Sequence, residues 1–299
     1  MKNAAKYVGT KNNGAAKQGT IAFPAAIVSR KTCRCLKAPA HWPAVAAGVT
    51  VVVLSAALSA VCAAPPASEA PPPASVAETN DAEIISALEK QVDSIGSEWD
   101  ADERIVRQLS LNGATPEAMK LVGHLRGLQV LAVFDSKLRS ADFAPVAELT
   151  DLEFVYLKRT PIEAMLFQHL ANLPSLKWLI ISESRIASFA GLERLTRLEV
   201  LEIKVCSLPC GRLAPLEKLT ELRQLELFQV GVVDGDLVHL QRLKKLNTLI
   251  LTGNKITNRS LPWLARMTWL DDLWVSETRV IEQGAEWLDK KLPRTLVID

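Results

Sequence analysis

Residues 246–267 read LNTLILTGNKITNRSLPWLARM, and their first eleven positions decide the fold. Leu246, Leu249 and Leu251 fall on the spacing LxxLxL, Asn254 takes position nine, and Ile256 takes position eleven. Alternation through the first seven positions sends positions four and six one way and positions three, five and seven the other, as a short strand does. The same frame, aligned on its opening apolar residue, begins at Val106, Leu128, Leu152, Leu176, Leu198, Leu222, Leu246 and Leu270, at intervals of 22, 24, 24, 22, 24, 24 and 24 residues. Leu176-Lys-Trp-Leu179-Ile-Ile181 and Leu222-Arg-Gln-Leu225-Glu-Leu227 repeat it closely. Position nine is small or polar in Ser136, Thr160, Ser184, Cys206, Asn254 and Thr278; an apolar residue follows two places on, as in Leu138, Ile186 and Val232. The second half of each unit carries apolar residues at threes, such as Leu237, Leu240 and Leu243, which suits a short helix or helical turn. A fixed period of this length marks a solenoid. One strand and one helix cannot bury their own apolar faces, so the eight units stack into a continuous α/β core, strands on one side and helices on the other.

The form LxxLxLxxTxI followed by LxxLxxL, clearest in 246–267 and 222–243, resembles the leucine-rich repeat family in the variant common in bacterial repeat proteins. Its period is similar to the ribonuclease-inhibitor and cysteine-containing subclasses, and the resemblance covers residues 106–294. Asparagine at position nine occurs only at Asn254 and cysteine only at Cys206, which predicts an irregular side-chain hydrogen-bond ladder and a shallow, uneven horseshoe. The resemblance implies recognition through the concave strand face, most often of another protein.

Upstream the chain changes character. Residues 1–43 form a basic tail or n-region, and residues 1–79 carry eight basic and two acidic side chains, a net of +6. Residues 44–64 are 21 uncharged residues, enough to cross a bilayer core of about 30 Å as a transmembrane signal anchor. Such an orientation keeps the basic flank in the cytoplasm and the repeats outside a cytoplasmic membrane. The competing reading is a cleaved secretory signal ending near Val61-Cys62-Ala63, leaving the repeats secreted or periplasmic. Residues 65–79, rich in Pro and Ala, read as a semi-rigid linker. Asn80 as N-cap and Glu83 three residues on, with Ile84, Leu88, Val92, Ile95 and Trp99 at helical spacing, predict an N-terminal helical cap over 80–105. The repeat domain follows over 106–299, with 295–299 as a last short strand.

Residues 80–299 are net −4, against nucleic-acid binding, which needs a positive surface to neutralise phosphates. The expected partners are therefore a protein or peptide at the strand face and a membrane at residues 44–64. On the strand positions that point away from the core, Val130, Phe134, Phe154, Tyr156, Trp178 and Ile180 gather over units two to four, the kind of apolar, aromatic surface that anchors partners. Lys158, Glu202, Lys204, Phe228 and Trp274 complete the candidate ligand face, with Glu226 and Asp272 adding to a mixed-charge rim. The alternative is that a loop, the cap or the linker folds over these residues. Lys137, Arg185, Lys255 and Arg279 recur at position ten as a basic stripe, and Trp263 and Trp287 hold equivalent helical places.

No catalytic, cofactor or metal constellation is visible. His124, His169 and His239 lie in different units without a second histidine at ligand spacing, and Asp234-Gly-Asp236 is too short for a calcium loop. Cys206 and Cys210 are expected to pack as thiols, with a disulfide between them the sharper alternative on export. Two function classes follow: a non-catalytic, membrane-tethered or exported module binding a protein or peptide, and a structural, self-associating envelope protein. A lesser third is a substrate-receptor subunit of a ubiquitin-ligase-like complex.

Overall fold

The computed structural model describes residues 80–100, 105–208 and 213–299. The expected basic tail, apolar segment and Pro/Ala linker, with Cys210, lie outside the described residues. Helix α1 (Asp81–Leu88) leads into strand β1 (Ser94–Asp100), and the repeats then supply strands β2 (Ile105–Asn112), β3 (Val130–Phe134), β4 (Phe154–Lys158), β5 (Trp178–Ser182), β6 (Val200–Lys204), β7 (Gln224–Phe228), β8 (Thr248–Ile250) and β9 (Asp272–Trp274). Strand β10 (Leu296–Ile298) ends the series, where a last short strand is expected. All ten lie in one sheet in chain order, parallel from β2 to β10.

The helical halves differ in kind. Units one, three, seven and eight form α2 (Pro116–Val122), α3 (Ala164–Leu170), α4 (Leu261–Leu264) and α5 (Glu282–Lys291), while 3-10 helices at Ser140–Glu148, Leu192–Arg194, Ala214–Lys218 and Asp234–Arg242 serve the others. Leu237, Leu240 and Leu243 at spacing three are all fully buried, since three residues make one turn of a 3-10 helix. They meet positions four and six of the strands, where Leu179, Ile181, Leu201, Ile203, Leu225 and Leu227 are also fully buried. Each such side chain stabilises the fold by roughly 1.5–3 kcal/mol.

The start of the domain departs from the helical cap expected over 80–105. Asn80 does cap α1, its side chain accepting from the Ala82 N–H at 3.1 Å, but the helix stops at Leu88. Residues 94–100 instead run as a strand antiparallel to β2, pairing Ile95 with Leu111 and Gly96 with Ser110. A spacing of four residues, as between Ile95 and Trp99, keeps two side chains on one face of a strand as well as of a helix. The backbone of β2 offers a full row of partners, and that decides between them.

Two ladders tie the units together. At position eight, φ is positive in every unit: Gly113, Asp135, Arg159, Glu183, Val205, Gln229, Gly253 and Glu277 lie between 48° and 72°. From this left-handed turn the N–H of every unit but the last donates to the position-seven carbonyl of the next unit, as from Asp135 to Lys158 at 3.0 Å, from Glu183 to Lys204 at 2.9 Å and from Val205 to Phe228 at 2.8 Å. At position nine the side chains form the second ladder, and it is irregular, as expected. Ser136 Oγ accepts from the Ala114 N–H at 2.9 Å and Ser184 Oγ from Thr160 at 3.2 Å. Asn254 reaches furthest: its Oδ1 accepts from the N–H groups of Val230 and Val232, and its Nδ2 donates to the carbonyls of Leu227 and Leu251. Cys206 is a buried free thiol whose Sγ lies 3.2 Å from the Lys204 carbonyl, and burial pushes its pKa up.

Candidate functional site: the open strand face

The parallel register aligns the outward strand positions into three rows. Position three gives Gln108, Val130, Phe154, Trp178, Val200, Gln224, Thr248 and Asp272; position five gives Ser110, Ala132, Tyr156, Ile180, Glu202, Glu226, Ile250 and Trp274. Position seven gives Asn112, Phe134, Lys158, Ser182, Lys204 and Phe228. All eleven candidate residues stand on this one face.

The apolar members are half-buried against one another. The rings of Phe134 and Tyr156 meet edge to face at 5.3 Å between centroids, and those of Phe154 and Trp178 lie 6.3 Å apart at a tilt of 50°. The Tyr156 hydroxyl is 3.1 Å from Ser182 Oγ. Contacts of this geometry stabilise by about 0.5–1.5 kcal/mol beyond area burial, so the aromatic side chains are held in place before any partner arrives. Ala132, Ser182 and Val200, expected to face outward, are buried, because larger side chains flank them in the rows. The apolar surface is therefore knit together, shallower than eight outward-pointing strands imply.

Beyond β5 the face changes chemistry. Lys204 Nζ lies 2.9 Å from Glu202 and 3.0 Å from Glu226, and Gln224 Nε2 donates to Glu202 at 3.2 Å. Only 13% and 15% of the two glutamate side chains remain exposed. Burial pushes the Glu226 carboxyl above the usual range, outweighing the attraction of Lys204, with the Glu202 charge adding to the rise. Burial alone lowers Lys204, but the two carboxylates together hold its pKa above the ordinary value. Burial also raises Asp272, whose side chain accepts from the Thr248 hydroxyl at 3.4 Å. Lys158 turns instead to Glu183, 2.9 Å away at position eight.

Glu183 belongs to a charged row along the turn edge, where Arg159 is held between Asp135 and Glu183. The bond to Arg159 holds Asp135 below the usual carboxylate range, and the bonds and charges of Lys158 and Arg159 outweigh burial to lower Glu183. The sequence contains the signal for both clusters, since residues at equal positions in successive units are neighbours. Glu226 stands beside Glu202, and Asp135, Arg159 and Glu183 follow one another at position eight.

Elsewhere Lys137, Arg185, Lys255 and Arg279 are exposed at position ten. Trp263 and Trp287 each have a cation near the ring face, Arg266 at 5.0 Å and Lys291 at 5.6 Å. Among the described residues no three His, Cys, Asp or Glu side chains converge into a metal site, and no helix is long and apolar enough to cross a membrane.

No protein-family model and no curated protein matches the sequence. Solved structures do. A Listeria monocytogenes internalin (inlF) is 25% identical over 60% of this chain and 56% of its own length, at a TM-score of 0.44. The Arabidopsis receptor kinase HAESA, solved in complex with the peptide hormone IDA and the co-receptor SERK1, is 19% identical over 74% of this chain, at a TM-score of 0.54. The HAESA leucine-rich repeat ectodomain with an N-terminally extended IDA peptide is likewise 19% identical over 73% of this chain, at 0.51. This chain spans only 41% and 40% of the two HAESA chains, so the likeness is one of fold. With its period, its ten-stranded sheet and its position-nine ladder, the chain has the leucine-rich repeat fold.

Proposed function

We propose that the chain is a non-catalytic recognition module that binds a protein or peptide across the open, concave strand face. The observation that carries this reading is the run of Val130, Phe134, Phe154, Tyr156, Trp178 and Ile180 over three adjacent strands, half-buried and pre-packed. Aromatic side chains fixed in advance cost little entropy on binding, which is what makes them anchors. HAESA, of the same fold, is solved with a peptide hormone, which supports a peptide or protein as the class of partner. The sequence supports a tether: residues 44–64 hold the module on the outer side of the cytoplasmic membrane, or are cleaved to release it.

The test is a crosslinking pull-down from native cell envelope with the full chain and its Tyr156→Glu/Trp178→Glu variant, after circular dichroism shows both folded. A partner captured by the parent and lost by the variant supports the reading; equal capture by both overturns it. A second reading, self-association, draws on Leu296 and Ile281, whose exposures of 58% and 54% are high for such side chains. Light scattering of the full chain in detergent separates the two, since a monomer at micromolar concentration excludes self-association.

A further inference from the structure

The centre of the strand face holds a charge that the described residues do not neutralise. Glu202 and Glu226 stand side by side in the middle row, are mostly buried, and among the described residues share the single cation Lys204. One lysine offsets one of two carboxylates, and a net negative charge left in a poorly solvated place is costly. Burial holds the Glu226 carboxyl above the usual range, and the neighbouring Glu202 charge adds to the rise. Apolar side chains bound this spot on both sides: Tyr156 and Ile180 on β4 and β5, Ile250 and Trp274 on β8 and β9, all in the same row.

Strand spacing turns this into a ruler. The middle of the Tyr156–Ile180 pair is two strand steps from the middle of the Glu202–Glu226 pair, or about 10 Å, and the Ile250–Trp274 pair lies about 10 Å further on. An extended chain covers about 3.3 Å per residue, so each interval is about three residues. We infer that the occupant of this face is an extended peptide segment carrying a lysine or arginine between Glu202 and Glu226, with an apolar side chain about three residues to either side. This rests on the reading that the strand face binds peptide, and adds its chemistry. The incoming cation balances the second carboxylate, and the flanking apolar groups exclude water from the pair, which strengthens it.

The experiment pans a phage-displayed library of random dodecapeptides over the full chain immobilised in detergent micelles, with Trp178→Glu and Glu202→Gln/Glu226→Gln variants checked for fold by circular dichroism. The expected result is enrichment of peptides with a basic residue spaced three positions from an apolar residue on each side. Recovery of these peptides falls about tenfold or more on the Glu202→Gln/Glu226→Gln variant. That variant leaves Lys204 without its carboxylates, so panning over it is expected to favour an acidic residue at the centre. Peptides that enrich and are lost with Trp178→Glu, but show no basic preference, overturn the inference and leave the binding reading standing. Peptides indifferent to Trp178→Glu overturn the binding reading itself. If nothing enriches, and a photoreactive residue at position 250 crosslinks to residues 1–79 or to a second copy, the occupant is the chain itself and the inference is overturned. Failure of both enrichment and crosslinking also overturns it.

Discussion

Units two to four and units five to eight share one backbone register and put it to opposite uses. In the first group, Phe134 packs on Tyr156 and Phe154 on Trp178, and the one charge on the face, Lys158, pairs with Glu183 at the turn edge, where Arg159 joins Asp135 to Glu183. In the second group charge moves onto the strand face, where Glu202, Lys204 and Glu226 sit half-buried, and the turn edge is uncharged at Val205, Gln229 and Gly253 until Glu277 in the last unit. The polar ladder shifts as well, from single serines in the first group to the many-bonded Asn254 in the second. A solenoid sets only the row in which a side chain stands, so neighbouring stretches of one sheet can differ freely in solvation and charge.

The largest test of this division is to cut it. Leu201 is fully buried in β6, at the border of the two groups, and Leu201→Asp places a carboxylate in the core. The loss is expected to exceed about 4 kcal/mol and to split chemical unfolding into two transitions, because each unit leans only on its neighbours. A single, unshifted transition contradicts the division. Next in size is the ladder. Asn254→Ala leaves the Val230 and Val232 N–H groups and the Leu227 carbonyl without a partner and is expected to cost about 3 kcal/mol, against about 1 kcal/mol for Ser184→Ala. Equal losses in denaturant titrations erase the distinction between the two groups.

A smaller effect has the opposite sign. Val205 is 50% exposed at a φ of 53°, where a β-branched side chain is strained, so Val205→Gly is expected to stabilise by about 1 kcal/mol in thermal unfolding. The smallest prediction concerns pH. Asp135 and Glu183 are lowered below their ordinary 3.8 and 4.5, so their contribution is complete above those values and is lost as the pH falls through the lower folded ones. Glu226 is raised above 4.5, so its ionised form is held less well by the folded chain than by the unfolded one, and acidification through its folded pKa favours folding. Asp135→Asn is therefore expected to destabilise at neutral pH by less than about 1 kcal/mol, with the gap closing in acid. Glu226→Gln is expected to stabilise at neutral pH, again with a gap that closes in acid. Matching signs in the two titrations refute the assignment of charge to the two regions.

The sequence made the solenoid legible because apolar periodicity is set by burial, and Leu179, Leu201 and Leu225 had no other place to go. It also placed all eleven candidate residues on one face, since alternation along a strand is strict. Three features were harder. The sequence of strand β1 fits a helix as well, because Ile95 and Trp99 satisfy both periods, and only pairing with β2 decides. The left-handed turn at position eight is marked by glycine only at Gly113 and Gly253; Val205 there gives no local hint, since the hydrogen-bonded ladder imposes the conformation. The mutual burial of Ala132, Ser182 and Val200 follows from the sizes of side chains on adjacent strands, which a single unit does not reveal.

The position-eight ladder has a consequence for how such a chain lengthens. Every unit leaves its strand through a left-handed residue at the same position, and each but the last passes one N–H to the following unit, whether it is 22 or 24 residues long. The two-residue difference is absorbed in the second half of the unit, whether it carries an α-helix, as in unit one, or a 3-10 helix, as in unit four, without disturbing the sheet. Each unit is thus an interchangeable part with identical joints. Duplication or loss of a whole unit between any two strands leaves every remaining joint intact, so the span of the face can drift by one strand at a time while the rows stay aligned.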